Sequence, residues 1–83
     1  MDQQLNLSDL HRLNQEYGSH CSRWYDIGCA LRINPNDLDA IEKDQRGKCE
    51  DCFREVLAKW LRKEGKKAES ELIHAIQELD KGL

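Results

Sequence analysis

The sequence predicts a small all-α domain, and three observations support this fold class. The 83 residues include a single proline and too few β-branched side chains to build several strands. The composition, 39% hydrophobic and 35% charged, is typical of a helical domain that folds in water. Apolar residues also recur at helical spacing along most of the chain. A chain of this length is expected to form one domain, residues 1–83, whose core supplies only about a few kcal/mol.

The first two predicted helices lie before residue 34. The first ends at Gly18, because glycine favours the end of a helix. The second covers residues 19–33 and contains Gly28, which costs about 1 kcal/mol relative to alanine inside a helix, so we expect another helix to approach closely there. The apolar residues at helical spacing are Leu5, Leu7, Leu10, Leu13 and Tyr17 in the first helix and Cys21, Trp24, Ile27 and Leu31 in the second.

Three more helices are predicted in the second half of the chain. Asn34 and Pro35 suit the N-cap and first position of the third helix, and residues 45–47 interrupt it. The fourth helix, with Gly65 as its expected C-cap, has the clearest pattern, and the fifth ends at Gly82. The residues expected to face inward are Leu38 and Ile41, then Cys49, Cys52, Phe53, Val56, Leu57, Trp60 and Leu61, and finally Leu72, Ile73, Ile76 and Leu79.

The segment GKCEDCF, residues 47–53, contains a Cys-x-x-Cys pair. Such a pair is typical of half a zinc site or of a redox-active dithiol. Cys49 and Cys52 nevertheless share the phase of the apolar face of the fourth helix, and cysteine is readily buried. We therefore expect both in the core, with no cofactor. The alternative is a small Cys-based zinc-binding or redox module that adds Cys21 or Cys29.

Charge is divided unevenly along the chain. Residues 1–45 hold four basic and eight acidic residues, a net of −4, whereas residues 46–67 hold eight and four, a net of +4. Opposite patches on different faces of one molecule favour head-to-tail contacts, although a charge run is most often a solvated face. The candidate contact residues are Asp37, Asp39, Glu42 and Asp44 in the third helix, Arg54, Lys59, Arg62, Lys63, Lys66 and Lys67 in the basic segment, and Tyr25, which we expect to be exposed beside a buried Trp24.

Several classes of function are disfavoured by the same sequence. The overall net charge of −3 argues against nucleic-acid binding, and a helix-turn-helix of the second and third helices would bring an acidic helix to phosphate. No stretch reaches the ~18 apolar residues of a membrane span, and the first residues do not resemble a signal peptide. Catalytic motifs are absent from the sequence, and a helical domain of this size is too small to enclose a typical substrate pocket. We therefore expect a cytoplasmic protein that is not an enzyme.

Two stretches carry a resemblance to a known family. WYDIGCALRINPNDLDAIEKD, residues 24–44, and CFREVLAKWL, residues 52–61, resemble the death domain of the death-fold superfamily. The chain departs from that family where Ala68-Glu69 replaces a Thr-Trp pair, and it stops at Leu83, where the sixth helix of the fold would begin. The positions that match are Trp24, Ile27, Gly28, Leu31, Ile33, Leu38, Ile41, Leu57 and Trp60, with Leu72, Ala75 and Ile76 in the fifth helix.

The resemblance implies a fold and a function. The fold would be an antiparallel helical bundle of the death-fold type, with five clear helices and the sixth short or absent. The function would be a non-enzymatic adaptor that binds other death domains, homotypically or heterotypically, and assembles apoptotic or innate-immune signalling complexes. No cofactor, nucleic acid, membrane or small-molecule substrate would be involved.

Overall fold

The computed structural model of the chain describes residues 4–63, 65 and 67–81, without the side chains of residues 80 and 81. Every regular element in this part of the chain is helical, so the all-α prediction is confirmed. Two short 3₁₀ segments lie at Leu7–Asp9 and Gly18–Arg23. The α-helices are α1 (Leu10–Tyr17), α2 (Trp24–Ala30), α3 (Pro35–Asp44), α4 (Cys49–Arg62) and α5 (Glu69–Lys81).

The chain before α1 differs from the prediction. Asn6 caps the first 3₁₀ segment, because its side chain accepts from the Ser8 amide at 2.9 Å and its own amide donates to Asp9 Oδ2 at 3.0 Å. The predicted first helix therefore begins later, at Leu10, and Leu7 is 45% exposed instead of facing inward. Leu5 is buried although it lies outside any helix, and its backbone amide donates to the carbonyl of Lys67 at 2.7 Å.

The single helix predicted over residues 19–33 is divided in two. α1 ends at Tyr17 with Gly18 as its C-cap, as predicted, but Gly18 keeps a right-handed helical conformation and the chain continues directly into the second 3₁₀ segment. A 3₁₀ helix has three residues per turn, so the α-helical phase assumed from the sequence is lost there. Cys21 is consequently only half-buried. The regular α-helical phase resumes at Trp24, which is buried as predicted.

α2 and α3 end in the same way, with an arginine in the left-handed backbone region. Arg32 has φ of 65° and Arg46 has φ of 55°. After each arginine, the next backbone amide donates back to a carbonyl in the last turn, at 3.0 Å in α2 and 2.9 Å in α3, which is the Schellman arrangement. Glycine usually holds this position, because other residues pay about 1–2 kcal/mol there. In return, each arginine places positive charge at the negative end of a helix dipole.

The prediction for α3 and for Gly28 is confirmed. The Asn34 side chain accepts from the Asn36 amide at 2.9 Å, and Pro35 is the first helical residue. A Cβ added at Gly28 would lie 2.6 Å from Cδ2 of the buried Leu38. The missing side chain therefore lets α3 approach α2, as the glycine inside α2 indicates.

The core is organised around α4, which packs on α1, α2, α3 and both 3₁₀ segments, while α5 packs on α2. Besides Leu7, two further predicted core positions are wrong: Cys49 is exposed, and Ile73 is 37% exposed. None of the helices in the described residues is long and apolar enough to cross a membrane. The predicted ending at Gly82 and a possible sixth helix after it fall outside the described residues. The most deeply buried side chains are Leu13, Ile27, Leu38, Cys52, Phe53, Val56, Leu57, Trp60 and Leu72.

Candidate protein-interaction surface

The four carboxylates predicted for the third helix are all exposed on α3. We call Asp37, Asp39, Glu42 and Asp44 the acidic row. They stand outside because the apolar positions of α3, Leu38 and Ile41, face the core. Among the described residues, neither Glu42 nor Asp44 forms an ion pair. The C-terminal half of the row therefore presents its negative charge to solvent.

The N-terminal end of the acidic row meets the basic segment. Asp37 Oδ1 lies 3.7 Å from Lys59 Nζ, and both side chains are about half exposed. An exposed pair of this kind contributes only about 0–1 kcal/mol. Its position is more informative, because it joins the first turn of α3 to the last turn of α4. The two patches, expected on different faces, therefore meet along a shared edge.

Tyr25 lies beside the acidic row and is less exposed than predicted. Its ring packs edge-on against Trp24, with centroids 5.5 Å apart and an interplanar angle of 68°. Its hydroxyl donates to Asp39 Oδ1 at 3.3 Å. Partial desolvation, followed by the negative charge of Asp39, raises the pKa of Tyr25. The tyrosine thus borders the row as a half-buried neighbour of one of its carboxylates.

The basic segment keeps part of its charge at the surface. Arg54 and Arg62 are exposed, with Arg54 4.0 Å from Asp51 in the preceding turn. Lys63 is exposed too, and its Nζ donates to the carbonyl of Arg32 at 2.9 Å. Lys66 lies outside the described residues. Arg62 and Lys63 therefore form the exposed cationic end of α4.

Lys67 is a correction to the predicted patch. Its side chain is only 6% exposed, and its Nζ donates to the carbonyls of Lys63 at 2.9 Å and Gly65 at 3.0 Å. Carbonyls at the end of a helix lack intrahelical donors, so a cation there satisfies them and complements the helix dipole. Lys67 therefore closes the end of α4 and cannot offer its charge to a partner.

Of the two thiols of the Cys-x-x-Cys pair predicted to lie in the core, Cys52 is buried as predicted and Cys49 is exposed. Cys52 is fully buried in the core, and desolvation raises the pKa of its thiol. Burial likewise raises the pKa of Cys21, with a smaller contribution from the neighbouring Cys49 thiol. Cys29 is exposed elsewhere on the surface. Within the described part of the chain, no three His, Cys, Asp or Glu side chains are grouped so that they could hold a metal ion.

A polar network that the sequence pattern does not predict ties α1 to α5. Arg12 donates to Glu16 Oε2 at 2.9 Å and to Glu69 Oε1 at 3.0 Å, and the Tyr17 hydroxyl donates to Glu69 Oε2. These two donors lower the pKa of Glu69. Desolvation and the same carboxylate raise the pKa of Tyr17. The spacing of Arg12 and Glu16 signals the local pair, but no sequence pattern signals the distant Glu69.

Comparison with family models, with curated proteins and with solved structures finds no match to this chain. The resemblance to the death domain therefore remains a prediction from the sequence pattern.

Proposed function

We propose that this chain is a non-enzymatic protein-interaction module with a death-fold bundle of five helices and a short or absent sixth. In this proposal it assembles with copies of itself or with other death domains in the cytoplasm, and so scaffolds apoptotic or innate-immune signalling complexes. The support comes from the death-domain pattern of residues 24–61 and from the charged surfaces of α3 and α4.

The observation that carries the proposal is the exposed, unpaired C-terminal half of the acidic row. Glu42 and Asp44 form no ion pair among the described residues, so a partner need not break an internal contact to reach them. Complementary charge across an interface speeds encounter and sets register more than it adds affinity. The row is therefore suited to guiding a basic partner surface into place.

The matching cationic surface lies at the other end of the same helix pair. Because Asp37 meets Lys59, the start of α3 lies beside the end of α4, where Arg62 and Lys63 are exposed. Asp44 is seven residues further along α3, about 10 Å at 1.5 Å per residue. The exposed cations Arg62 and Lys63 and the carboxylate of Asp44 therefore lie toward opposite ends of the pair. Contact between unlike ends of successive copies is a head-to-tail arrangement that can propagate without closing.

The test is the mass of the protein in solution as a function of concentration and salt. We expect the wild-type mass to rise with concentration and to fall in high salt, because exposed charges are screened. Glu42→Gln with Asp44→Asn should stop growth by this contact. The control is Gln15→Lys with Ser22→Lys, two exposed sites at which the net charge changes by the same amount and sign. Light scattering behind size-exclusion chromatography measures the mass of the wild type, the Glu42/Asp44 variant and the control.

Two results would count against the proposal. If the Glu42/Asp44 variant assembles like the wild type, the acidic row is not the contact surface. If the wild type stays monomeric throughout, self-assembly is excluded, and mixing with other death domains, followed by NMR shifts of the α3 amides, decides the heterotypic form. An absence of shifts there would end the proposal.

A further inference from the structure

A groove of about 380 Å³ runs between the end of α2 and one face of α5. Its apolar floor includes Leu31 and Ala75, both buried. One side is formed by the turn after α2, with the exposed Arg32. The other side carries Glu71 and Glu78, which are two helical turns apart on α5 and both exposed. One wall is thus cationic and the facing wall anionic.

The opposite charges of this groove do not neutralise each other within the molecule. In the described residues Arg32 forms no ion pair, and Glu71 forms none either. Glu78 lies 3.6 Å from His74 of its own helix, an exposed contact that depends on the charge of the histidine. The groove therefore holds separated charges of opposite sign along its two edges.

The turn that carries Arg32 is held firmly from within. The carbonyl of Arg32 accepts from Lys63 Nζ at 2.9 Å, and its amide donates to the carbonyl of Cys29 at 3.0 Å. Its left-handed backbone would suit glycine better, so the chain keeps a charged side chain here at a conformational cost. The cation on this wall is thus presented by a fixed piece of backbone.

We propose that this groove is a homodimer interface in which a second copy of the chain docks about a two-fold axis running along the groove. Such an axis places the Arg32 wall of each copy opposite the Glu71 and Glu78 wall of the other. Every contact is then made twice, as a two-fold interface requires. A second copy suits this groove because, about this axis, each charged wall meets a wall of opposite charge.

The interface is expected to be weak. Stable interfaces involve about 20–30 residues on each partner, whereas this groove is lined by seven. The contacts at its rim are also exposed and screened by salt. The dimer should therefore form at high protein concentration and dissociate as salt rises. It rests on the proposed function insofar as the chain binds copies of itself, but it uses a different surface from the acidic row.

The experiment uses the variant Glu42→Gln with Asp44→Asn as its background, so that the acidic row is already disabled. In this background sedimentation velocity should show a monomer–dimer equilibrium. Glu71→Arg with Glu78→Arg, and separately Arg32→Glu, should each weaken dimerisation at least tenfold. An equimolar mixture of these two reversed chains should restore it, because each altered wall then meets its new complement. Gln77→Arg, an exposed position on α5 outside the groove, is the charge control.

Loss of the fold is separated from loss of the interface by Arg32→Gly. Glycine removes the charge and suits the left-handed backbone, so this variant should unfold at a higher denaturant concentration while dimerising less well. If both charge-reversed variants dimerise as well as the background variant does, the inference is overturned. It is also overturned if the background variant stays monomeric. A mixture that grows beyond dimers would overturn the two-fold arrangement. None of these outcomes tests the contact through the acidic row, because the row is already disabled in the background variant.

Discussion

The acidic row on α3 and the basic segment of residues 54–67 differ in how much of their charge reaches solvent. All four carboxylates of the row remain at the surface, and three of them have no ion pair among the described residues. In the basic segment, Lys67 is buried against carbonyls, Lys59 faces Asp37, and Lys63 holds the backbone of Arg32. Much of the positive charge of the basic segment is therefore engaged in contacts within the molecule.

The difference follows from the side chains themselves. A lysine has a long apolar stem and a terminal charge, so it can lie over the core and still reach a helix end. The short side chain of Asp37 or Asp39 keeps its carboxylate close to α3, so a neighbouring helix contacts it only through a long side chain such as Lys59 or Tyr25. A net charge read from a sequence is thus a better guide to exposed anions than to exposed lysines.

Among the tests of this comparison, the largest change in the free energy of unfolding is expected at Lys67. Lys67→Met keeps the apolar stem but leaves the carbonyls of Lys63 and Gly65 without that donor, so the free energy of unfolding should fall by about 1–3 kcal/mol. Lys48→Met, at an exposed lysine, should change it by less than about 0.5 kcal/mol. Urea denaturation compares the two variants. Equal effects would mean that Lys67 is an ordinary surface charge.

The next effect concerns the packing that positions the acidic row. Gly28→Ala would place a methyl group 2.6 Å from Leu38 Cδ2, and Leu38 is fully buried and cannot move aside freely. We expect α3 to shift and the free energy of unfolding to fall by about 1–2 kcal/mol despite the better helix propensity of alanine. Thermal denaturation measures the loss. Gly28→Ala with Leu38→Val should recover part of it, and the absence of any recovery would contradict the close approach.

A smaller effect is expected where the two charged surfaces meet. A double-mutant cycle with Asp37→Asn and Lys59→Met should give a coupling energy of about 0.2–1 kcal/mol, which decreases at high salt. A second cycle that pairs Lys59→Met with Asp44→Asn, at the more distant carboxylate, should give a coupling energy near zero. A coupling to Asp44 as large as that to Asp37 would show that the exposed half of the row also interacts with α4.

The smallest effect should appear at acid pH. The pKa of Glu69 is lowered by donation from Tyr17 and Arg12, so its stabilising contribution is complete above the ordinary glutamate value of about 4.5 and is lost as the pH falls through the folded-state value. Glu69→Gln should therefore flatten the acid limb of the stability curve. Glu42→Gln should leave the steepness of that limb in place. Denaturation midpoints between about pH 7 and pH 3 decide this, and identical curves for the two variants would remove the role assigned to Glu69.

Much of the second half of the fold can be predicted from the sequence. The cap at Asn34, the proline after it and the apolar spacing of α4 are local signals that agree with one another. Gly28 is informative for a similar reason, because a glycine inside a helix lowers its stability unless close packing requires the missing side chain. Where several local preferences point the same way, tertiary structure has little to override.

The prediction fails where helical periodicity is extended too far. The spacing places Leu7 and Cys21 in α-helices, but both lie in 3₁₀ segments, whose different turn shifts each side chain away from the assumed face. Cys49 is the first residue of α4 and so lies at the end of its apolar face, where it remains exposed. In the candidate surface, the exposed carboxylates follow from local spacing, but the buried Lys67 and the cationic wall at Arg32 depend on long-range contacts that no local pattern records.

The hydrogen bond between the Leu5 amide and the Lys67 carbonyl also has a kinetic consequence. It joins two points separated by most of the chain, and closing so large a loop is an entropic cost that grows with the logarithm of its length. We expect this contact to form after the packing around α4 and to open first in the native protein. Hydrogen exchange at the Leu5 amide would then report openings that leave the remainder of the domain intact.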